Sequence, residues 1–462
     1  MAARGNSAAR REPPRREPQR RPVQQRRRPV QAQSQRRPVQ QRPRQSGVVI
    51  PFPAPQQRPR RRPLSREEAQ RRQELRLRQQ ALEEEGKELA RGPVDLPFCL
   101  LVLLLMAIGL VMLLSASFPS AYNSDSTGHN PAYYFIRQGV FAVMGVAAML
   151  FIGKINYRRF RGVAKTLLYV SIFMLILVII PHNPIAHTVK GATRWLGVGD
   201  LFSFQPSEIA KMAIIIYFSD SISKKKDLMR SFRYGIFPYA AILAFTAGLV
   251  AVEPHLSGAI LILGVGAALM LVGGINWGWV LGAIGAAGGL LYLALFIVGY
   301  NTSRIQYWMN PWADAQGKGY QLSQSLITIG SGGLLGVGLG KSRQKFMFLP
   351  EEHNDFIFAV ICEELGLIGA SIIMLLFAAL ILRGYWIALH ARDRFGSLMV
   401  IGVTTLIAMQ TFLNIGVVTG LLPTTGISLP FFSYGGTALS IQLAEMGVIL
   451  SVSRQMKPTK AG

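Results

Sequence analysis

From residue 96 onward the chain returns again and again to apolar runs near the length that an α-helix needs to cross a hydrocarbon core, about 20 residues. Ten such runs are legible, near 96–118, 134–153, 164–181, 207–222, 234–252, 256–274, 277–299, 356–384, 397–418 and 437–453. A backbone in lipid must satisfy its own hydrogen bonds, which restricts this pattern to a helical bundle. The expected fold class is an all-α polytopic membrane protein with ten transmembrane helices. Cys99 and Cys362 fall in different expected helices and match no metal-ligand spacing, so they read as packing residues without a disulfide.

The chain is 50% hydrophobic and 16% charged, yet its formal net charge is +26, so grease and positive charge occupy different places. Residues 1–95 hold 25 Lys and Arg against 10 acids. Within 1–64, RPVQ recurs at 21, 28 and 37 in an Arg, Pro and Gln background that cannot bury enough apolar area to offset its ordering entropy. This reads as a disordered cytoplasmic tail. Residues 65–95 open with a Ser65–Glu68 capping-box pattern and run through charged helix formers to Gly92-Pro93, a charged cytoplasmic helix and linker. The membrane domain is expected over 96–455, with a short cytoplasmic tail at 456–462.

No apolar segment with a cleavage site precedes the basic tail, so the first span is expected to act as the membrane signal and the N-terminus to stay inside. Ten spans then place KINYRRFRGVAK, SKKKDLMRSFR, HARDR and the final SRQMKPTK in the cytoplasm, in accord with the Lys/Arg asymmetry of membrane proteins. Anionic lipid is the expected partner of the tail. Nucleic acid is disfavoured, because no aromatic residues interleave to stack on bases.

A loop at 300–355, between the seventh and eighth spans, falls outside and carries Arg304, Lys318, Lys341, Arg343 and Lys345. GYQLSQSLITIGSGGLLGVGLG reads as a short amphipathic helix and a glycine-rich turn, without the lysine of a phosphate loop. MNPWADAQGKGYQ, at 309–321, holds a single acid; composition alone reads Asp314 as an Asx turn or a helix cap before Gly317. Glu363 and Glu364 in AVICEELG are costly within a span unless they face a cavity or a partner. Glu208 and Lys211 in QPSEIAK stand three apart and can pair. For both sets, internal ion pairing and cavity lining stay open. The outside segments 187–208 and 419–437 combine polar residues with helix breakers, as backbone lining a cavity does, and make Pro423, Ser433 and Gly435 candidate wall residues.

Four motifs carry a resemblance: KGATRWLGVGDLFSFQPSEIAK, NPWADAQGKGYQLSQSL, GLGKSRQKFMFLPEEHNDFIFAVICEELGLIGA and NIGVVTGLLPTTGISLPFFSYGGTAL. Together they resemble the SEDS family of bacterial shape, elongation, division and sporulation proteins over residues 96–455, with the basic tail outside the match. PWAD and LPEEHNDF are worded more like the division branch, FtsW, than the elongation branch, RodA. EPHLSG at 253–258 departs from a Gln-Pro-Asp-Leu-Gly wording common in the family, which leaves His255 without an assigned role.

The resemblance implies a ten-span peptidoglycan glycosyltransferase of the bacterial cytoplasmic membrane. Such an enzyme polymerises lipid II at the outer face, beside a class B penicillin-binding protein transpeptidase and other division proteins. It also implies that Asp314 is the general base for the acceptor hydroxyl. A lipid diphosphate leaves without a proton once cations hold its charge, so one base suffices where glycoside hydrolysis uses two carboxylates. Arg194, Lys318 and Lys345 are the candidate diphosphate ligands, with a divalent cation, Mg or Mn, as an open alternative. Gln321 and His353 are further candidate substrate contacts. A lipid II flippase with Lys211, Glu363 and Glu364 along its path is the rival reading, and a scaffold recruiting the transpeptidase is a third. The absence of an obvious inverted repeat weighs against the flippase.

Overall fold

The computed structural model describes residues 92–456 apart from 181–182, 184, 190–191, 199–201, 226–227, 254, 280, 283–284 and 286–301. The tail 1–64, nearly all of segment 65–95, most of the seventh expected span at 277–299 and the end of the chain beyond Met456 lie outside the described residues.

The described part is helical: α1 (Leu96–Tyr122), α2 (Tyr133–Lys154), α3 (Phe160–Ile179), α4 (Pro206–Lys224), α5 (Phe237–Val252), α6 (Leu256–Val272), α7 (Thr302–Met309), α8 (Tyr320–Ser331), α9 (Ile357–Leu389), α10 (Arg394–Val418) and α11 (Gly436–Ser453). Among the described residues, seven helical segments are long and apolar enough to cross a membrane: α1, α2, α3 and α5 with the turns before them, α9, α10 and α11. The chain is a multi-pass membrane protein. α4 takes the fourth expected position but carries Glu208, Lys211, Asp220 and Lys224. It is buried along most of its circumference, with Ala210, Ile214, Ile215 and Phe218 all enclosed, so protein surrounds it and its sequence need not be lipid-like. α2 and α3 instead turn Val143, Phe151, Tyr169 and Phe173 outward, as lipid-facing helices do.

The all-α expectation needs one correction. Between α3 and α4 lie three short strands, β1 (Ala186–Val189), β2 (Ala192–Val198) and β3 (Phe202–Phe204), in one antiparallel sheet of order β1-β2-β3. Thr193, Trp195, Leu196, Val198, Phe202 and Phe204 are β-branched, aromatic or otherwise apolar, and the strand pairing satisfies a backbone that the breakers keep from being helical.

Polar pins set the helix ends. Asp95 caps α1 by accepting the Phe98 N–H at 3.0 Å and is gripped by Arg383 of α9 at 3.0 and 2.8 Å. Asp393 caps α10 through the Gly396 N–H at 2.8 Å and faces Arg158 and Arg161. α2 and α11 pack so closely that a Cβ on Gly447 would sit 2.6 Å from the Met149 carbonyl oxygen.

α9 is broken at Gly366, where φ is 68°. The glycine-rich turn after α8 fills the break: the Val337 and Gly338 N–H groups donate to the Glu363 and Glu364 carbonyls, and Leu367 and Ile368 donate to Gly333 and Leu334. Broken backbone at membrane depth is thereby satisfied by protein. Gly336, at φ 79°, leaves room for the Glu364 carbonyl, which a side chain would strike.

Candidate active site

Two adjoining cavities lie where the sheet, α4, α8, the start of α9 and the 424–437 segment converge. The larger, about 760 Å³, is lined by Arg137, His187, Arg194, Glu208, Lys211, His255, Asp355, Ser433 and Gly435 among others. The smaller, about 480 Å³, is lined by Tyr307, Trp308, Lys318, Gln321, Asp355 and Thr424–Gly426. Arg194, Ser257, Asp355 and Gly426 line both and form the common wall.

The local fold explains how Arg194 reaches this wall. Thr193 and Trp195 pair with the consecutive residues Thr188 and His187, so Arg194 is the extra residue of a β-bulge. Bulges re-aim a side chain out of the strand alternation. Its Nε donates to the Glu253 carbonyl at 3.1 Å, which fixes the guanidinium at the site. On α4, Lys211 Nζ donates to Glu208 at 2.8 Å in the cavity wall, so ion pairing and cavity lining both hold for this pair.

Asp314 ends a single helical turn, Pro311–Asp314, and is half-buried, four residues before Lys318 of the smaller cavity. Its Oδ2 accepts the Lys318 N–H at 3.0 Å, and its carbonyl accepts from Gly317 and Gly319, each at 3.1 Å. The turn that the composition suggests is therefore real, and it aims Lys318 and Gln321 into the smaller cavity. Gly317 is needed for space, since a Cβ there would lie 2.5 Å from both Asp314 carboxylate oxygens. Asp314 itself lines neither cavity.

Several expected site residues sit elsewhere. Lys345 is buried and donates to Glu364 at 2.8 Å, Ser115 at 3.0 Å and the Gly340 carbonyl at 2.8 Å, which engages all three ammonium protons and corrects its placement as a diphosphate ligand. Glu363 and Glu364 line neither cavity; they take Ser342, Arg343, Gly340 and Ser115 as donors, so internal pairing is what the structure gives them. His353 stacks on Tyr134 with centroids 4.7 Å apart and meets Glu352 at 3.3 Å, away from both cavities. Pro423 also lines neither, while Ser433 and Gly435 do line the larger one.

Two residues escaped the sequence reading. Asp355 follows His353 by two positions in the same motif, and only the fold shows which of them faces the cavities. His255 accepts the Gln205 amide N–H at Nδ1, 3.1 Å away, which leaves its proton on Nε2. Burial, then Arg194 and Lys211, push its pKa down to about 3, so the ring stays neutral. Burial raises the neighbouring Glu253 carboxyl to about 8, against the opposing pull of Arg194.

The described residues bring together no group of three or more His, Cys, Asp or Glu side chains that would cage a metal ion. The carboxylates of the larger cavity, Glu208, Glu351 and Asp355, stand among Arg137, Arg194 and Lys211, and no step below passes through a metal ion.

A bulge-mounted arginine, a buried Glu–Lys pair and two joined polar cavities thus sit within one helical membrane bundle. The chain belongs to the FtsW/RodA/SpoVE family of cell cycle proteins, whose model matches residues 96–458. It is 40% identical to a probable peptidoglycan glycosyltransferase FtsW of Geobacter metallireducens over 81% of this chain and 97% of that protein. It is 42% identical to stage V sporulation protein E of Bacillus subtilis over 78% and 97%. A chain solved in work on the structural coordination of polymerization and crosslinking by a peptidoglycan synthase complex superposes with a TM-score of 0.66, at 26% identity, over 78% of this chain and 98% of that one.

Proposed function

We propose that this chain, a peptidoglycan glycosyltransferase of the FtsW type, polymerises lipid II at the outer face of the bacterial cytoplasmic membrane, with Asp314 as general base. The observation that carries this reading is the pair of cavities joined through a wall that holds Arg194. Two lipid-linked sugars must meet with one diphosphate leaving, and two adjoining polar spaces with cations on both sides suit that task.

Asp314 removes the proton from the 4-hydroxyl of the acceptor sugar as that oxygen attacks the anomeric carbon of the growing glycan. The bond to the undecaprenyl diphosphate breaks, and the diphosphate departs with its electron pair into the field of Arg194 and Lys318. Held donors aimed at developing charge lower the barrier without reorganisation. The anomeric centre inverts, from an α-linked diphosphate to a β-1,4 glycan. Gln321 supplies an amide to the sugar in the smaller cavity. Buried Lys345 does not take part.

The reading includes ten spans with both termini inside, a septal location, a class B penicillin-binding protein transpeptidase and other division proteins as partners, and anionic lipid under the Arg-rich tail. Cys99 and Cys362 are both buried, so a cysteine introduced at the exposed Met347 is a clean topology probe. It labels with a membrane-impermeant thiol reagent in intact cells if this loop is outside, and labelling only after lysis would reverse the topology. Glycan formation from lipid II by the purified chain with its transpeptidase tests the function, since neither a flippase nor a scaffold makes polymer.

A further inference from the structure

The smaller cavity has two kinds of wall. Lys318, Gln321, Thr424 and Thr425 bring charge and hydrogen-bonding groups, whereas Tyr307 and Trp308, consecutive in α7, bring aromatic rings. Neither ring takes part in the proton transfer or in the departure of the diphosphate. How Trp308 is held determines what it can offer. Beyond the end of α10 the chain turns through Gly420 at φ 77°, whose N–H returns to the Val417 carbonyl at 3.1 Å. The Gly420 carbonyl then accepts from Trp308 Nε1 at 2.8 Å. An indole has one polar atom, and this bond uses it. What the ring has left for the cavity is apolar surface. α8 is tied to the same helix end, since Ser325 Oγ donates to the Val418 carbonyl at 2.7 Å. Gln321 stands in the first turn of α8, so the indole and the amide share one support.

That pairing of walls selects among the parts of a lipid-linked sugar. A diphosphate is polar all round and gains nothing from an indole. A polyprenyl chain is apolar all round and leaves Gln321 and the threonines unmet. A pyranose ring has both characters, with hydroxyl and amide groups round its rim and C–H groups across its faces, and pockets for such molecules combine an apolar surface with a few placed polar groups. We propose that Trp308 is a substrate-contacting residue on whose indole the C–H face of a lipid-linked sugar stacks, while Gln321 meets the rim of the same sugar. The assignment rests on the glycosyltransferase reading above and makes the smaller cavity selective for the sugar over the chain that carries it. Because Nε1 fixes the indole before the sugar arrives, stacking orders no further side chain.

The test measures equilibrium binding of two probes to the purified full chain in nanodiscs: lipid II, and undecaprenyl diphosphate, which has the chain and the diphosphate but no sugar. Polymerisation and a thermal melt are read on the same samples. Trp308→Leu is expected to weaken lipid II binding by about 30-fold, the scale of losses at aromatic stacking platforms, and to leave undecaprenyl diphosphate binding within about threefold of wild type. Trp308→Phe keeps a ring and gives up the bond to Gly420, so it should retain most of the lipid II binding; it also carries the test if the Leu variant does not fold. Equal losses in the Phe and Leu variants would assign the effect to the Nε1 bond and overturn the inference. A loss shared by undecaprenyl diphosphate would put the chain on the indole and overturn it too, as would unchanged lipid II binding by a folded Trp308→Leu. A sugar-dependent loss in a chain that makes no glycan would uphold the contact and sink the glycosyltransferase reading, whereas equal binding and polymerisation by wild type and Trp308→Leu would do the reverse.

Discussion

Two regions of this molecule bury the same kinds of ionisable residue and treat them in opposite ways. Around Glu363 and Glu364, both carboxylates are closed off: Glu364 accepts from Ser115, Gly340, Ser342 and Lys345, and Glu363 accepts from Ser342 and Arg343. In the larger cavity, His187 Nε2 and Gln410 Oε1 are buried without a hydrogen-bond partner. An unmet buried polar atom costs about 1–3 kcal/mol, which a ligand can offset. The closed network staples the α8–α9 turn across the break at Gly366 and ties it to α1. The open cluster is arranged for something that arrives later.

The largest expected effect sharpens this contrast from the closed side. Lys345→Met leaves Glu364 buried without its cation, and breaking such a pair typically costs about 3–5 kcal/mol. Melting of the variant in nanodiscs should fall sharply, and adding Glu364→Gln should restore part of the loss. A melt unchanged by Lys345→Met would mean that the network is not holding the fold.

On the open side the effect should be kinetic. Arg194→Ala is expected to lower polymerisation by about 10²-fold, the usual loss for one preorganised donor, while shifting the melt far less than Lys345→Met does. Equal damage to stability in both variants would erase the distinction between the regions.

A smaller effect concerns pH. The Glu253 carboxyl is raised from 4.5 to about 8 by burial, so between these values the folded chain keeps a proton that the unfolded chain releases. Stability therefore falls as pH rises across that window. Glu253→Gln removes the titrating group and should flatten this part of the stability profile, read as melting temperature against pH. A slope as steep as that of wild type would place its origin elsewhere.

Hydropathy made the lipid-facing helices legible, because α1, α2, α3 and α9 must meet lipid on their own. α4 was readable only as a span with odd charges, since burial against protein relaxes its composition and the sequence does not say what surrounds a helix. The sheet was hidden because seven- and four-residue strands amid breakers look like any polar loop. At the site, Arg194, Lys318 and Gln321 carried signals that the structure brings together. Lys345 misled, because an isolated lysine in a loop gives no hint that Glu364 waits 19 positions along. Asp355 was missed for the converse reason: His353, Asn354 and Asp355 are equally polar, and only the fold shows that Asn354 and Asp355 line the larger cavity while His353 does not.

The central claim, that Asp314 supplies a base and not only a turn, is tested most directly by Asp314→Asn in a lipid II polymerisation assay with the purified transpeptidase complex. The amide oxygen can still accept the Lys318 N–H that holds the turn at 3.0 Å, so folding and partner binding should be unchanged. Loss of a general base typically lowers the rate by about 10²–10⁴, and a fall of that size in a variant with a normal melt is the predicted result. Polymerisation near the wild-type rate would contradict the account and leave Asp314 as a turn residue alone.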